Sequence, residues 1–298
     1  MKTTLFALSF AALATFAYAQ APQPDFSKVE IKTTKISDNF YTLEGQGGTI
    51  GVLVGPDGVF MVDSEFAPLS QKIAAAIHQI SDKPIRFLVN THVHGDHTGG
   101  NANFAAMGAT IFARDELRYR LVHPSPSANG TPGTPAPAAA LPVVTYEGPV
   151  TIHMDGEIVQ LIPIRRAHTD GDTLIHFVHN DVLMTGDYFR SIQFPNIDRV
   201  NGGSLRGMLD GLGTTIGMAG PNTKIIPGHG PMVDRAALIA HRDMILAIRA
   251  KVAAMVQEGK TVDEVLAAKP TSDYDNIPNG STTSERFVRQ LYAELKTN

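Results

Sequence analysis

The chain has 298 residues, 43% hydrophobic and 18% charged, with a formal net charge of −4. It is long and apolar enough for a large core in one or two domains, and the slight acidity excludes a polyanion as its main partner. With no cysteine, disulfide frameworks, thiolate metal sites and a lipid-modified cysteine anchor are excluded as well.

Residues 1–19 have the pattern of a signal peptide. Lys2 is a minimal basic start, Leu5 to Phe16 is an apolar run too short to span a bilayer, and Ala17-Tyr18-Ala19 fits the small-x-small cleavage rule. The mature chain is expected to start at Gln20, to be exported to the periplasm or secreted, and to have no further membrane segment. It would form one domain over 20–298, with 260–298 as a helical tail. Val29 to Leu43 is strand material broken by the turn residues Ser37-Asp38-Asn39. Gly45 to Gly48 is a glycine loop with no helix after it, so it is not a phosphate-binding fingerprint. Thr49 to Val54 and Val59 to Val62 flank the turn Gly55-Pro56-Asp57-Gly58 as a hairpin. Pro68 to Ile80 has helical periodicity, with His78 off the apolar stripe, and Ile85 to Val89 is a buried strand.

Asn101 to Met107 predicts a short helix, Thr110 to Ala113 a strand and Asp115 to Leu121 a helix. His123 to Pro142, rich in Pro, Ala, Ser, Thr and Gly, predicts a long loop with the character of a flap. Val143 to Val150, Thr151 to Met154 and Ile158 to Pro163 are predicted strands, and Thr173 to Val178 with Val182 to Met184 a hairpin. Leu205 to Ile216 is a helix, Lys224 to Ile226 a strand, and Asp234 to Gln257 a long helix ended by Gly259. Thr261 to Ala268 and Ser284 to Leu295 are further helices, the first with the capping-box pair Thr261 and Glu264. Strands then helices, twice over, imply an α/β fold of two sheets packed face to face with helices outside.

The chemistry concentrates in Thr91-His92-Val93-His94-Gly95-Asp96-His97-Thr98-Gly99-Gly100. Imidazole and carboxylate are zinc donors, and four of them crowded after a buried strand are not explained by packing. Further donors stand beside glycine after apolar runs: His168, Asp187 in Gly186-Asp187, and His229 in Gly228-His229-Gly230. Strand ends along one edge of a sandwich can converge on one point.

This ordered set, His-x-His-x-Asp-His at 92–97 followed by His168, Asp187 and His229, resembles the metallo-beta-lactamase superfamily over about Phe40 to Gly230. The resemblance implies a four-layer alpha-beta/beta-alpha sandwich, here with a C-terminal helical extension, and two metals at the sheet edges. His92, His94 and His168 would bind the first, Asp96, His97 and His229 the second, and Asp187 both. Two Zn2+ suit these donors, and iron and manganese fit them too. The implied activity is hydrolysis, with a hydroxide shared by two cations attacking a carbonyl and Asp96 orienting it. Asp63, Thr169 and Asp172 are candidate partners of the ligand imidazoles, with turn chemistry as the alternative.

The specialised beta-lactamases carry cysteine where Asp187 stands and lack the counterpart of His97. The all His/Asp set is closer to glyoxalase II, a thioesterase, and to lactonases. Export and Arg190, three residues after Asp187, point back to weak or promiscuous beta-lactamase activity, because a basic residue at that spacing grips the substrate carboxylate in those enzymes. Asn196 aligns with the asparagine that contacts their lactam carbonyl. A surface ion pair for Arg190 and a turn role for Asn196 after Pro195 are the alternatives.

The expected partner is thus a small carbonyl compound, carboxylate-bearing in the beta-lactam case. No basic, aromatic-interleaved stripe marks a nucleic-acid groove, and a monomer is the simplest state. Two other functional classes remain open, an iron-dependent oxidoreductase of sulfur compounds and a non-catalytic metal-binding module. His123, His153, His176, His179 and His241 show no spacing that joins them to the site, and Phe66 with the Gly45 to Thr49 loop is expected to line the cleft. Mass spectrometry of the chain after expression in a Gram-negative host should find Gln20 as the first residue. A retained Met1 would refute the leader assignment.

Overall fold

A computed structural model describes residues 25–126, 130–274 and 276–297; the expected signal peptide lies outside them. The first sheet has seven strands, ordered as in the sequence: β1 (Lys32–Lys35), β2 (Phe40–Glu44), β3 (Ile50–Gly55), β4 (Gly58–Val62), β5 (Ile85–Val89), β6 (Thr110–Arg114) and β7 (Val144–Tyr146). β1 to β4 pair antiparallel and β4 to β7 parallel. The parallel steps are crossed by α1 (Ser70–Ile80), α2 (Gly95–Thr98), α3 (Asn101–Ala106) and α4 (Asp115–Val122). The second sheet comprises β8 (Val150–Met154), β9 (Glu157–Pro163), β10 (Thr173–Phe177), β11 (Val182–Met184) and β12 (Lys224–Ile226), in the order β12-β11-β10-β9-β8. Helices α5 (Leu205–Met218), α6 (Arg235–Gln257), α7 (Val262–Ala267) and α8 (Gly280–Thr297) follow β11.

Side-chain alternation makes the layers. On β4, Phe60 and Val62 face the second sheet, while Val59 and Met61 face α1 and α3. On β11, Val182 and Met184 face the first sheet, while Leu183 packs under α5 and α6. The inter-sheet layer centres on Phe177, whose ring lies 4.5 Å from Phe40 and meets Phe60 edge-on at 5.8 Å. The order helix, sheet, sheet, helix is the expected four-layer sandwich.

One predicted element divides. Val143 to Val150 is not a single strand, because β7 pairs with β6 in the first sheet and β8 with β9 in the second. Gly148-Pro149 makes the crossing, where proline has no N–H to continue a ladder. Helix α8 starts one turn earlier than expected, at Gly280, and the capping box of Thr261 and Glu264 is formed. The strand ends carrying residues 63–65, 90–94, 185–187 and 227–229 lie along one edge, which fixes where the site forms.

Phe177→Ala should lower unfolding free energy by about 3–5 kcal/mol through an inter-sheet cavity. Denaturant melts of metal-loaded protein check this, and a loss under about 1 kcal/mol would mean that the two sheets are not locked by this ring.

Candidate metal centre

Four of the five site histidines have one ring nitrogen tied and the other aimed inward. His92 Nδ1 lies 3.1 Å from Thr91 Oγ1, whose hydroxyl donates to Asp63 Oδ2 at 2.7 Å. His94 Nε2 donates to Asp198 Oδ2 at 2.7 Å, His97 Nδ1 to Asp63 Oδ2 at 2.7 Å, and His168 Nδ1 to the Asn196 carbonyl at 2.7 Å. These bonds orient the rings, turning His92 Nε2, His94 Nδ1, His97 Nε2 and His168 Nε2 inward.

The inward atoms form two groups, His92, His94, His168 and Asp187, and Asp96, His97, Asp187 and His229, with the ligand atoms of each group within 4.8 Å of one another. Asp187 belongs to both. Its Oδ2 lies 3.6 Å from His92 Nε2 and 3.7 Å from His168 Nε2, and its Oδ1 lies 3.4 Å from both His97 Nε2 and His229 Nε2. His229 Nε2 also lies 3.1 Å from Asp96 Oδ2.

The residues fit a metal on grounds of their own. His94 Nδ1 and His168 Nε2 face each other at 2.9 Å, an arrangement of two lone pairs that a cation stabilises. His92 Nε2 and Asp187 Oδ1 are buried without a hydrogen-bond partner. Burial pulls His168 down to about 3, with the charge of His94 adding to the effect, and it holds His92 far below the imidazole range. Burial would also lower His97, but Asp187 and Asp63 outweigh it and hold this ring well above the usual value. For Asp187 burial acts upward, and Arg190 and His97 overcome it to keep the group ionised. Neutral imidazoles in one pocket and ionised carboxylates shared with the other are a divalent metal's donor set.

Residues 43–229 match the family profile described as the metallo-beta-lactamase superfamily. The chain belongs to the metallo-beta-lactamase superfamily. Its described residues gather a His/Asp cluster that suits divalent metal. The fold is similar to the stereoselective inverting sec-alkylsulfatase Pisa1 from Pseudomonas sp., with a TM-score of 0.66 and 17% identity over 88% of this chain. This chain spans half the length of that enzyme. It is also similar to a metallo-beta-lactamase from Pontibacter korlensis, with a TM-score of 0.56 and 18% identity over 72% of this chain and 99% of that one. A linear primary-alkylsulfatase from Pseudomonas sp. is 39% identical over 56 residues, only 11% of its own length.

In this superfamily member the environment of the ligands differs in places from the sequence expectation. Asp63 does orient a ligand, His97. Thr169 and Asp172 instead bond to each other, with Thr169 Oγ1 donating to Asp172 Oδ1 at 2.6 Å, which is turn chemistry. The residue that holds His94 is Asp198, which also caps the short helix Arg199–Asn201; in sequence it is one aspartate in a loop, with no spacing to the motif. Arg190 pairs with Asp187 and donates to Gln193 Oε1 at 3.1 Å, so it is no surface ion pair. The Asn196 side chain accepts from Gln290 Nε2 at 2.9 Å, and its contribution to the centre is the main-chain oxygen on His168.

Glu65 was not legible as a site residue. Its buried carboxylate accepts from the N–H groups of Gly45, Gln46 and Gly47 at 2.8, 3.1 and 2.9 Å. This pins the glycine loop behind the second pocket, where a Cβ on Gly48 would collide with the His97 ring. That loop therefore backs the ligands, and Phe66 packs against Phe26 with tilted rings 5.2 Å apart; neither is a wall of the cleft above His94. The cleft, about 380 Å³, runs between Pro124, Ser125 and Thr134 on one side and Asp198 and Val200 on the other. The proline-rich loop is thus one wall of it. His123 packs against Tyr119 with tilted rings 4.5 Å apart and does not line this cleft.

The two carboxylates predict separable losses. Asp198→Asn should weaken the pocket containing His94, and Asp63→Asn the pocket containing His97, each roughly 10–100-fold. Titration against a chromophoric chelator resolves the two sites; a loss at the pocket containing His97 in Asp198→Asn, or no loss there in Asp63→Asn, would refute the pairing.

Proposed function

We propose that this chain is an exported dinuclear zinc hydrolase of small anionic substrates, with weak or promiscuous beta-lactamase activity. The observation that carries the reading is Asp187, whose two oxygens serve two adjoining pockets beside an open cleft. Metals held there supply Lewis acidity and a water activated near neutral pH. The chain's own residues do the rest. Asp96, on the second pocket's rim, is kept ionised against burial by His229 and His97, so it can accept a hydrogen bond from the attacking water and set its direction towards a carbonyl carbon. Thr91, Asp198 and the Asn196 carbonyl hold three imidazoles rigid, which keeps reorganisation small. Arg190 stands next to Asp187 as the group that meets substrate charge.

A second reading is supported by the extent of the structural likeness. Similarity to the sec-alkylsulfatase covers 88% of this chain, against 72% for the beta-lactamase. Hydrolysis of an alkyl sulfate ester uses the same activated water and the same demand for a cationic anchor.

Metal analysis with a substrate panel tests both readings. Purified protein should hold about two metals per chain and hydrolyse either a chromogenic cephalosporin or an alkyl sulfate, with lactone and thioester as the alternative carbonyl substrates. Exhaustive chelation should abolish turnover and zinc should restore it. Activity that survives chelation would refute the mechanism, and persulfide-dependent oxygen uptake by an iron form would replace hydrolysis with redox chemistry.

A further inference from the structure

The donors that the pocket of Asp96, His97 and His229 does not share with its neighbour all lean on one stretch of chain, residues 45–49. Gly48 N donates to the Asp96 carbonyl at 3.0 Å, and Thr49 N donates at 2.8 Å to the carbonyl of Gly228, next to His229. Gly48 lies so close to the His97 ring that a Cβ there would overlap it, and a Cβ on Gly47 would strike the Asp96 carbonyl. The histidines of the other pocket are held elsewhere, by Thr91, Asp198 and the Asn196 carbonyl.

Residues 45–49 form no helix or strand between β2 and β3. Their shape comes from Glu65, which is fully buried and accepts from the successive N–H groups of Gly45, Gln46 and Gly47. Successive N–H groups that converge on one anion form a nest, and hydrogen bonds to an ionised acceptor are roughly twice as strong as neutral ones. Glu65 is tied in turn to the histidine motif, its carbonyl accepting from Gly100 N at 2.8 Å.

The nest needs a carboxylate. Gly45 N donates to one oxygen of Glu65, and Gln46 N and Gly47 N donate to the other. Glutamine has the same shape but only one acceptor oxygen, so in either orientation its NH2 faces an N–H group and leaves a buried donor unsatisfied. We infer that Glu65 is a positioning residue of the metal centre: by folding residues 45–49 into a nest it sets Asp96, His97 and His229, and so governs the occupancy of their pocket alone. The inference rests on the dinuclear reading for the metals, but not on the bond that is cut.

Zinc titration against a chromophoric chelator, read alongside nitrogen NMR of the histidine rings, tests this. The spectra tell which imidazoles are bound, His97 and His229 for one pocket and His92, His94 and His168 for the other. The wild type should fill both. Glu65→Gln should weaken the His97 pocket about tenfold or more and leave the other within about twofold. Glu65→Asp, which keeps the charge on a shorter stem, should recover part of the loss. Glu44→Gln, at an exposed neighbour outside the nest, should change neither pocket. With any substrate the panel finds, the zinc concentration giving half-maximal rate should rise in Glu65→Gln by the factor that the affinity falls. The positioning role is overturned if Glu65→Gln fills both pockets like the wild type, if both weaken equally, or if Glu44→Gln loses as much. Should Glu65→Gln not fold, Glu65→Asp decides: a loss confined to the His97 pocket is expected, and no loss or an equal loss at both overturns the role. A selective loss in a protein that hydrolyses nothing would sink the proposed activity and leave the role standing; hydrolysis with equal metal affinities in wild type and Glu65→Gln would do the reverse. A wild type that fills only one pocket overturns both.

Discussion

Buried at the end of β4, the carboxylate of Asp63 accepts three hydrogen bonds of 2.7 Å, from Thr91 N, Thr91 Oγ1 and His97 Nδ1. This one group ties the start of the histidine motif to its end, and through the Thr91 hydroxyl it also sets His92. Its backbone is left-handed, at φ 61°, as is that of Glu65 at φ 50°. Such conformations cost free energy in residues with a Cβ and persist where the surroundings over-determine them. Here they turn two carboxylates of adjoining function inward, Asp63 onto the ligands and Glu65 onto the glycine loop behind them.

Beneath the motif a polar knot holds the turn in place. Asn90 and Asn101 exchange side-chain hydrogen bonds at 2.8 and 3.1 Å, and Ser64 Oγ donates to Asn101 at 2.9 Å. All three are fully buried, so each amide lost would leave a partner unsatisfied. The loop bearing His168 is fixed from the other side: Arg114 donates to the Ile164 and Asp170 carbonyls, and Arg120 pairs with Asp170 at 2.6 Å. A Cβ at Gly228 would strike Asp187, so glycine there lets two ligand loops pass at contact distance. The centre is thus held by a rigid shell drawn from both sheets, which suits a reaction whose charge develops in a fixed place.

The C-terminal helices extend that shell rather than merely enlarging the core. Phe287, Val288 and Leu291 of α8 pack with α5 and α6. The polar face of α8 holds residues 194–197, including the carbonyl that orients His168. The C-terminal helix and the His168 imidazole consequently share one strap, so a change in α8 reaches that ring through Asn196 without touching it directly.

Sequence alone determined the two-sheet plan and picked out the seven donors that folding gathers into two groups. Period-two alternation in short apolar runs, turn residues between them, and seven donors at strand ends are local patterns, readable because strand and helix periods are set by the backbone. The break at Gly148-Pro149 was visible as residues but not as a change of sheet, since pairing partners are non-local. What only the tertiary structure decided is what surrounds these donors: Asp198 on His94, Glu65 under the glycine loop, Asn196 acting by its carbonyl, and Arg190 on Asp187. Apart from Arg190, three residues after Asp187, none of these has a spacing to the donors, because each meets them through folding. A carboxylate or guanidinium in a loop has no periodicity to show which buried atom it will face.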